Sequence, residues 1–461
     1  MANPQTTASA TAGPISGGAA RRRAAIGATV GTFIEYYDYY LYGLGAAAVF
    51  GPVFFPSENP VAASLSSFAS FAVGFLFRPL GGVLFGHIGD RFGRKPALMS
   101  TVIGMGITTA AVGLIPPAAA IGTLAPVLLV IFRSLQGLFV GGEMGGATTL
   151  ITENATPGRR GFYGSLLIVG AGAANVLSAG LMAWLKIADD NWFMTWGWRI
   201  PFLLSLVFLV VAVVIRRNLV ETDEFKRAQE REQATGKKKV PLIEALRHPK
   251  NVILGVVIGL VQSITGYVIL TFGLSYVVSK GVGAQVGFIG TMIVGALQIV
   301  AAPSWGSLSD RIGRKRLYIG AAAFLAVIIY PVLALYATNN PVLIVLGMVI
   351  GFVIPGVAMQ ATFQTMLAEM FDVQSRTTGV NLGYQLSNTV GGGFAPMICV
   401  ALVAAAGGRT WPVGLYVGVI ALVGVVGTVV ASLRPDVAAD AGAEAADNQP
   451  KGPGPGSDGA A

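Results

Sequence analysis

Long apolar runs separated by short polar connections dominate the chain from residue 26 to residue 433. Twelve of them are long enough to cross a hydrocarbon layer of ~30 Å as helices, at 26–50, 65–85, 97–115, 126–150, 162–184, 198–215, 252–278, 286–308, 317–336, 342–366, 379–405 and 413–433. In lipid a backbone must satisfy its own hydrogen bonds. Runs of this length do so as helices, whereas a barrel would need shorter, alternating strands. The pattern therefore predicts an all-α membrane protein with twelve transmembrane helices in two six-helix halves, 24–215 and 251–434, joined by the polar stretch 216–250. Residues 1–23 and 435–461 are rich in Ala, Gly, Pro and Ser, lack apolar periodicity and read as disordered cytoplasmic tails.

Composition moves the same way. Hydrophobic residues make up 54% of the chain and charged residues 11%, well outside the range of soluble globular proteins. The bases are lopsided: Arg21–Arg23, Arg91, Arg94, Lys95, Arg159, Arg160, ten bases between Arg216 and Lys250, Arg311, Arg314–Arg316, Arg376 and Arg434 all fall in alternate connections. The opposite connections hold little more than Lys186, Lys280 and Arg409. Since Lys and Arg stay on the cytoplasmic side, both termini are expected in the cytoplasm. The net charge of +9 is then a matter of topology and anionic lipid rather than of nucleic acid.

Arg21–Arg23 ahead of an apolar run resembles a signal peptide, but that run contains Glu35 and Asp38 and leads into eleven more, so an uncleaved first helix is expected. The middle stretch mixes its ten bases with six acids and reads as a cytoplasmic linker with a short amphipathic helix at 241–247. Cys399 is the single cysteine, which excludes an internal disulfide, and no metal cluster is visible. A membrane-embedded enzyme would need a nucleophile with its base, or a metal. His87 and His248 lie outside the apolar runs and Cys399 stands alone, so enzymatic chemistry is not expected.

One decapeptide occurs twice. Gly86-His87-Ile88-Gly89-Asp90-Arg91-Phe92-Gly93-Arg94-Lys95 returns 220 positions later as Gly306-Ser307-Leu308-Ser309-Asp310-Arg311-Ile312-Gly313-Arg314-Lys315, each copy after an apolar run. In each loop the Asp can cap a helix or pair with an Arg across the bundle, while the glycines allow a tight turn and close approach. A second pairing repeats as well: Glu153 precedes Arg160 by seven positions, and Glu369 precedes Arg376 by seven. The plainer reading of these charges is that they cap helices and orient loops.

In the first run, Glu35 and Asp38 stand at i and i+3 with Tyr39 and Tyr42 assigned to the same face. Acids at membrane depth are costly and are kept where they meet a cavity, a partner or a proton path. Arg133 in the fourth run is placed to pair with Asp38, and protonation of the acid would release it; a permanent helix–helix salt bridge is the rival reading. Arg78 either contacts a solute or snorkels to the cytoplasm. Tyr267, Thr271 and Tyr276, with Gln360, Gln364, Tyr384, Gln385 and Asn388, are polar groups of a mostly apolar second half and are candidates to line a central site or to bond helix to helix.

The decapeptide resembles the loop signature of the major facilitator superfamily, G-x-x-x-D-R-x-G-R-K, and its presence in both halves makes the resemblance specific. Within that superfamily the chain resembles the metabolite–proton symporters through Phe33-Ile34-Glu35-Tyr36-Tyr37-Asp38-Tyr39-Tyr40-Leu41-Tyr42-Gly43, Phe77-Arg78-Pro79-Leu80-Gly81-Gly82, Arg133-Ser134-Leu135-Gln136-Gly137 and Trp196-Gly197-Trp198-Arg199-Ile200-Pro201-Phe202. One departure is Asp223, where many members have Pro. The resemblance implies a monomeric importer in the plasma membrane of a prokaryote. It would carry a small organic carboxylate together with protons by alternating access and use the proton gradient in place of a cofactor. A zwitterion of the proline or betaine type is the alternative cargo, and a channel or non-transporting sensor the rival class. Under this reading Asp38, Glu35 and Arg133 couple protons. Arg78, Arg133, Tyr39, Tyr42, Tyr267, Gln364, Tyr384 and Gln385 contact substrate. Gly86, Asp90, Arg91, Gly93, Arg94, Asp310, Arg311, Gly313, Arg314, Glu153, Arg160, Glu369 and Arg376 gate.

Overall fold

A computed structural model describes residues 18–92, 94–142, 158–217, 249–371 and 376–433. Among these, twelve long helical segments follow one another: α1 Gly18–Ala48, α2 Pro60–Phe85, α3 Pro96–Leu114, α4 Leu124–Gly141, α5 Arg160–Ala188, α6 Arg199–Arg217, α7 Pro249–Ser279, α8 Ala284–Ile312, α9 Arg314–Tyr336, α10 Pro341–Glu369, α11 Thr378–Ala405 and α12 Trp411–Val430. Helix α1 begins at Gly18, inside the stretch expected to be a disordered tail. The helix expected at 241–247 lies outside the described residues.

The helix boundaries have local causes. Both α2 and α10 open on Asn-Pro: the Asn59 carboxamide accepts from the amides of Val61 and Ala62, Asn340 does the same for Val342 and Leu343, and the proline takes the first helical position, where no N–H is needed. Helix α8 stops at Gly313, whose φ of 92° is open to glycine and strained for other residues.

Among the described residues, length and apolarity alone qualify ten helices to cross a membrane, and eleven if the bent pair Asp190–Gly197 and Arg199–Val214, at 48°, counts as one span. The stretch 26–50, expected as an apolar span, does not qualify. Its place is taken by α1, whose Glu35, Asp38 and row of tyrosines lower its hydropathy while Tyr37, Asp38, Tyr39 and Tyr42 are buried. A helix can be this polar when it faces protein instead of lipid.

Two apolar cores follow the two sets of six helices. One gathers Phe68, Phe71, Phe75, Phe202 and Trp198 around α1; the other gathers Tyr318, Tyr336, Phe352 and Phe363 around α7 and α10. They meet where α5 packs along α8, α2 along α11, and α1 against α7. Within the first set, α2 and α4 touch through their backbones. A methyl group added to Gly81 would overlap the backbone of Leu138, and one added to Gly141 would lie 2.7 Å from the Arg78 carbonyl carbon, so the approach requires glycine.

Two helices lining the centre carry a π-helical turn, Tyr267–Phe272 in α7 and Asn388–Gly393 in α11. The extra residue per turn re-aims side chains, as such turns often do at functional sites.

Candidate functional site

Asp38 is 3% exposed and sits where α1 crosses α3 and α4. Its Oδ1 accepts a 2.6 Å hydrogen bond from the Thr109 hydroxyl and a second from the Gln136 side-chain amide. Arg133 Nη1 stands 3.7 Å from Oδ2, and the same nitrogen donates at 2.5 Å to Gln136 Oε1. The acid and the base are thus joined through the Gln136 carboxamide rather than by a direct bidentate contact. Below the guanidinium lies the ring of Tyr42, 4.1 Å from its centre, with the Tyr42 hydroxyl engaged by Ser70 at 3.0 Å. Nε and Nη2 of Arg133 are buried without a hydrogen-bond partner. Gly74 makes room for this side chain, since a methyl group there would come within 2.9 Å of its Cδ and Cζ.

The opposite face of α1 lines a narrow cavity between the two sets of six helices. Tyr36, Tyr39 and Tyr40 of α1 face Gln262, Ser263, Tyr267 and Thr271 of α7, Gln360 of α10, and Tyr384 and Asn388 of α11. At its edge the hydroxyls of Tyr36 and Tyr384 meet at 2.9 Å, a bond from one set of six helices to the other. The Ser263 hydroxyl donates to Asn388 Oδ1 at 3.0 Å, and the Gln298 amide donates to Gln360 at 2.9 Å.

Arg78 is 1% exposed, so it does not snorkel. Its guanidinium carbon lies 4.2 Å from the Tyr39 ring centre and 4.1 Å from that of Phe75, a geometry that favours a cation. Nε and Nη1 have no hydrogen-bond partner. Tyr39 carries this guanidinium on its ring and also lines the cavity, which places a positive charge at the cavity's edge.

The expected substrate contacts divide. Tyr39, Tyr267 and Tyr384 line the cavity and Arg78 adjoins it, whereas Tyr42, Arg133, Gln364 and Gln385 are not among the lining residues. Helical geometry separates them: Asp38 turns towards Thr109 of α3 and Gln136 of α4, and Tyr42, four residues on, towards Ser70 of α2 and Arg133 of α4, away from the cavity that Tyr39 lines. Glu35 is half-buried and also off the cavity wall. Sequence reasoning gave no role to Thr109 and left Gln136 as part of a motif, because neutral polar residues in an apolar helix usually make ordinary interhelical bonds. Tyr36 and Tyr40 were given no role either, although they flank Tyr39 at helical spacing and could have been found by it.

At the far end of α8 the second decapeptide is engaged. Asp310 accepts the backbone N–H groups of Gly161 and Phe162 at 2.8 and 2.9 Å, which puts a carboxylate on the N-terminus of α5, in the other set of six. Arg314 bonds the same carboxylate at 3.2 Å and reaches Glu369 of α10 at 2.8 Å. Gly313 supplies the turn and Arg311 is exposed. Arg160 stands at the first position of α5. In the first decapeptide, Gly86, Asp90 and Arg94 belong to helices and Arg91 is exposed; Gly93 and Glu153 lie outside the described residues, and Arg376 opens a helix.

A family model described as Major Facilitator Superfamily matches residues 28–297 and 263–455. The chain is 40% identical over 398 residues to the shikimate transporter of Escherichia coli (strain K12), spanning 86% of this chain and 91% of that protein. It is 32% identical to the proline/betaine transporter of Salmonella typhimurium (strain LT2), spanning 88% and 82%. Among solved structures it resembles a D-xylose-proton symporter with a TM-score of 0.66 at 19% identity, covering 88% of this chain and 96% of that one, a likeness of fold. With a family model matching most of its length and relatives matched nearly end to end, the chain belongs to the major facilitator superfamily of membrane transporters.

Proposed function

We propose that this transporter imports a small organic carboxylate together with protons by alternating access, in the plasma membrane of a prokaryote. The observation that carries the reading is the pairing of buried Asp38 with Arg133 through Gln136, one helix width from a cavity edged by Arg78, whose Nε and Nη1 have no hydrogen-bond partner. Protonation of Asp38 weakens its hold on Arg133 and Gln136, and in a low-dielectric site that change is large enough to bias one packing of α1 against α4 over another. Arg78 is the carboxylate anchor. Shikimate, proline and betaine, the cargoes named for relatives, share a carboxylate and little else.

Asp310, Arg314 and Glu369 form the latch of the cytoplasmic side in this reading, with both termini on that side, the two halves at 24–215 and 251–434, and the chain acting as a monomer without a cofactor. Glu35 serves as a second acid near Asp38. A zwitterionic cargo is the second reading, favoured by the tyrosine faces around the cavity, which attract cations.

The test is uptake into proteoliposomes. An inward proton gradient should drive a labelled carboxylate above equilibrium, and a protonophore should collapse it. Equal uptake with and without the gradient would make the protein a facilitator or channel.

A further inference from the structure

A buried acid carries protons only if its neighbours accommodate it both charged and neutral. The carboxylate accepts hydrogen bonds, whereas the neutral acid must also donate one, and a buried donor without an acceptor is costly. Most of what surrounds Asp38 suits the charged form. Arg133 and Arg78 are cations acting on its carboxylate. The Gln136 carboxamide turns its N–H to Asp38 and Thr109 and its oxygen to Arg133; turned over, it would set its N–H against the guanidinium.

Thr109 suits both forms. Its hydroxyl oxygen lies 2.6 Å from Asp38 Oδ1, 2.8 Å from the carbonyl oxygen of Met105 one turn back in α3, and 2.8 Å from the Gln136 side-chain nitrogen. A hydroxyl has one hydrogen and two lone pairs, so it donates to one of the two oxygens at a time. With Asp38 charged, the hydrogen points to Oδ1 in a short, charge-assisted bond. With a proton on Oδ1, the hydroxyl turns to Met105, one of its lone pairs accepts from Asp38, and the other still accepts from Gln136. No heavy atom has to move, and each of these donors keeps an acceptor. Tyr37 and Tyr42 of α1, Tyr267 of α7 and Glu35 one turn earlier share the field around Asp38. The hydroxyls of Tyr37 and Tyr42 are bonded elsewhere, to the Pro201 carbonyl and to Ser70.

From this geometry we infer that Thr109 is the residue that lets Asp38 be held in both protonation states: rotation of one hydroxyl, from Asp38 Oδ1 to the Met105 carbonyl, exchanges a donor for an acceptor when the proton arrives. Thr109 is a positioning residue that acts through Asp38, and the inference rests on the reading of Asp38 as the coupling acid made above.

The experiment is infrared difference spectroscopy of the full chain in lipid as the pH is lowered, with no solute present. Neutral carboxyl groups show a carbonyl stretch; the part due to Asp38 is the part lost in Asp38→Asn, and Glu35→Gln identifies the contribution of the neighbouring acid. In Thr109→Val, which keeps the shape and lacks the hydroxyl, the Asp38 band should move to higher frequency because the acid has lost its acceptor. It should also reach half its height at a proton concentration about tenfold lower, because the charged form loses the stronger of the two bonds. Thr109→Ser should restore both readings. Thr101→Val, which removes a hydroxyl bonded to the Leu98 carbonyl two turns away in α3, should leave both as in the parent. Thr109→Ala, read in the same way, covers a failure of Thr109→Val to fold. An Asp38 band unchanged in frequency and midpoint without the hydroxyl overturns the inference and leaves coupling at Asp38 standing. A serine variant that behaves like the valine variant overturns it as well. If no band disappears in Asp38→Asn at any pH at which the protein stays folded, the coupling role of Asp38 falls and this inference falls with it.

Discussion

Asp310 at the end of α8 accepts the amide hydrogen of Gly161 at the start of α5, 2.8 Å away, so one carboxylate ties the two sets of six helices together at this end of the molecule. A methyl group on Gly161 would stand 2.6 Å from the Gly306 carbonyl oxygen, which shows how closely the helices meet there. Asp310→Asn keeps the shape and removes the charge that the helix N-terminus and Arg314 both favour. With about 1–2 kcal/mol at stake, the ratio of closed to open states should fall roughly five- to thirtyfold. Labelling of cysteines engineered near Gly161 in a Cys399→Ser background should rise before substrate affinity changes. Labelling that matches the parent would limit Asp310 to assembly.

Replacing Asp38 by Asn keeps a hydrogen-bond partner for Thr109 and ends protonation. Accumulation against a gradient should be lost while exchange of solute across the membrane persists. Alkalinisation of the medium on substrate addition, present in the parent, should disappear. Full accumulation in Asp38→Asn, in Glu35→Gln and in the double variant would remove both acids from coupling.

Arg133→Ala leaves Asp38 buried without its counter-charge, a change that costs about 3–5 kcal/mol in comparable sites. Arg133→Lys should fare little better, because an ammonium cannot both reach Gln136 and stack on Tyr42. Asp38→Asn combined with Arg133→Gln should melt closer to the parent than Arg133→Ala alone. The opposite order in detergent melts would mean that the two charges are energetically independent.

Gly141→Ala tests the α2–α4 contact. The new methyl meets the Arg78 backbone, which cannot rotate away, so about 1–3 kcal/mol of stability should be lost. Because the displaced residue is Arg78, affinity for carboxylates should drop together with the melting temperature. A lower melting temperature with unchanged affinity would detach Arg78 from substrate.

Much of this architecture was legible in the chain because lipid enforces helices, so long apolar runs mark them out. Gly313 and the repeated Asp310 loop are local signals that survive without a structure, whereas the Asn-Pro start of α2, five residues ahead of the apolar run at 65, was not read from the chain. Asp38 and Arg133 stood out as charges in apolar runs. Gln136 did not, although it bonds both, since a neutral amide in a helix has many ordinary uses. Tyr42 was misassigned for a geometric reason: i and i+3 neighbours lie about 60° apart on a helix, wide enough for Tyr39 to face the cavity while Tyr42 faces Arg133. The π-helical turns that aim Tyr267 and Asn388 leave no periodic trace, because a single inserted residue is invisible in a hydropathy profile.

Helix α1 has a consequence for how the protein is made. It is more polar than the ten helices that, among the described residues, are long and apolar enough to cross a membrane, and an Asp at the centre of an isolated helix costs about 2.5–3.5 kcal/mol on insertion into lipid. Thr109, Gln136 and Arg133, the groups that satisfy Asp38, belong to α3 and α4 and are synthesised later. Until α4 is made, α1 carries that cost unrelieved, and Asp38→Leu would remove it: the acid that needs its partners in the folded bundle also makes the first helix the one whose place in lipid depends most on the fourth.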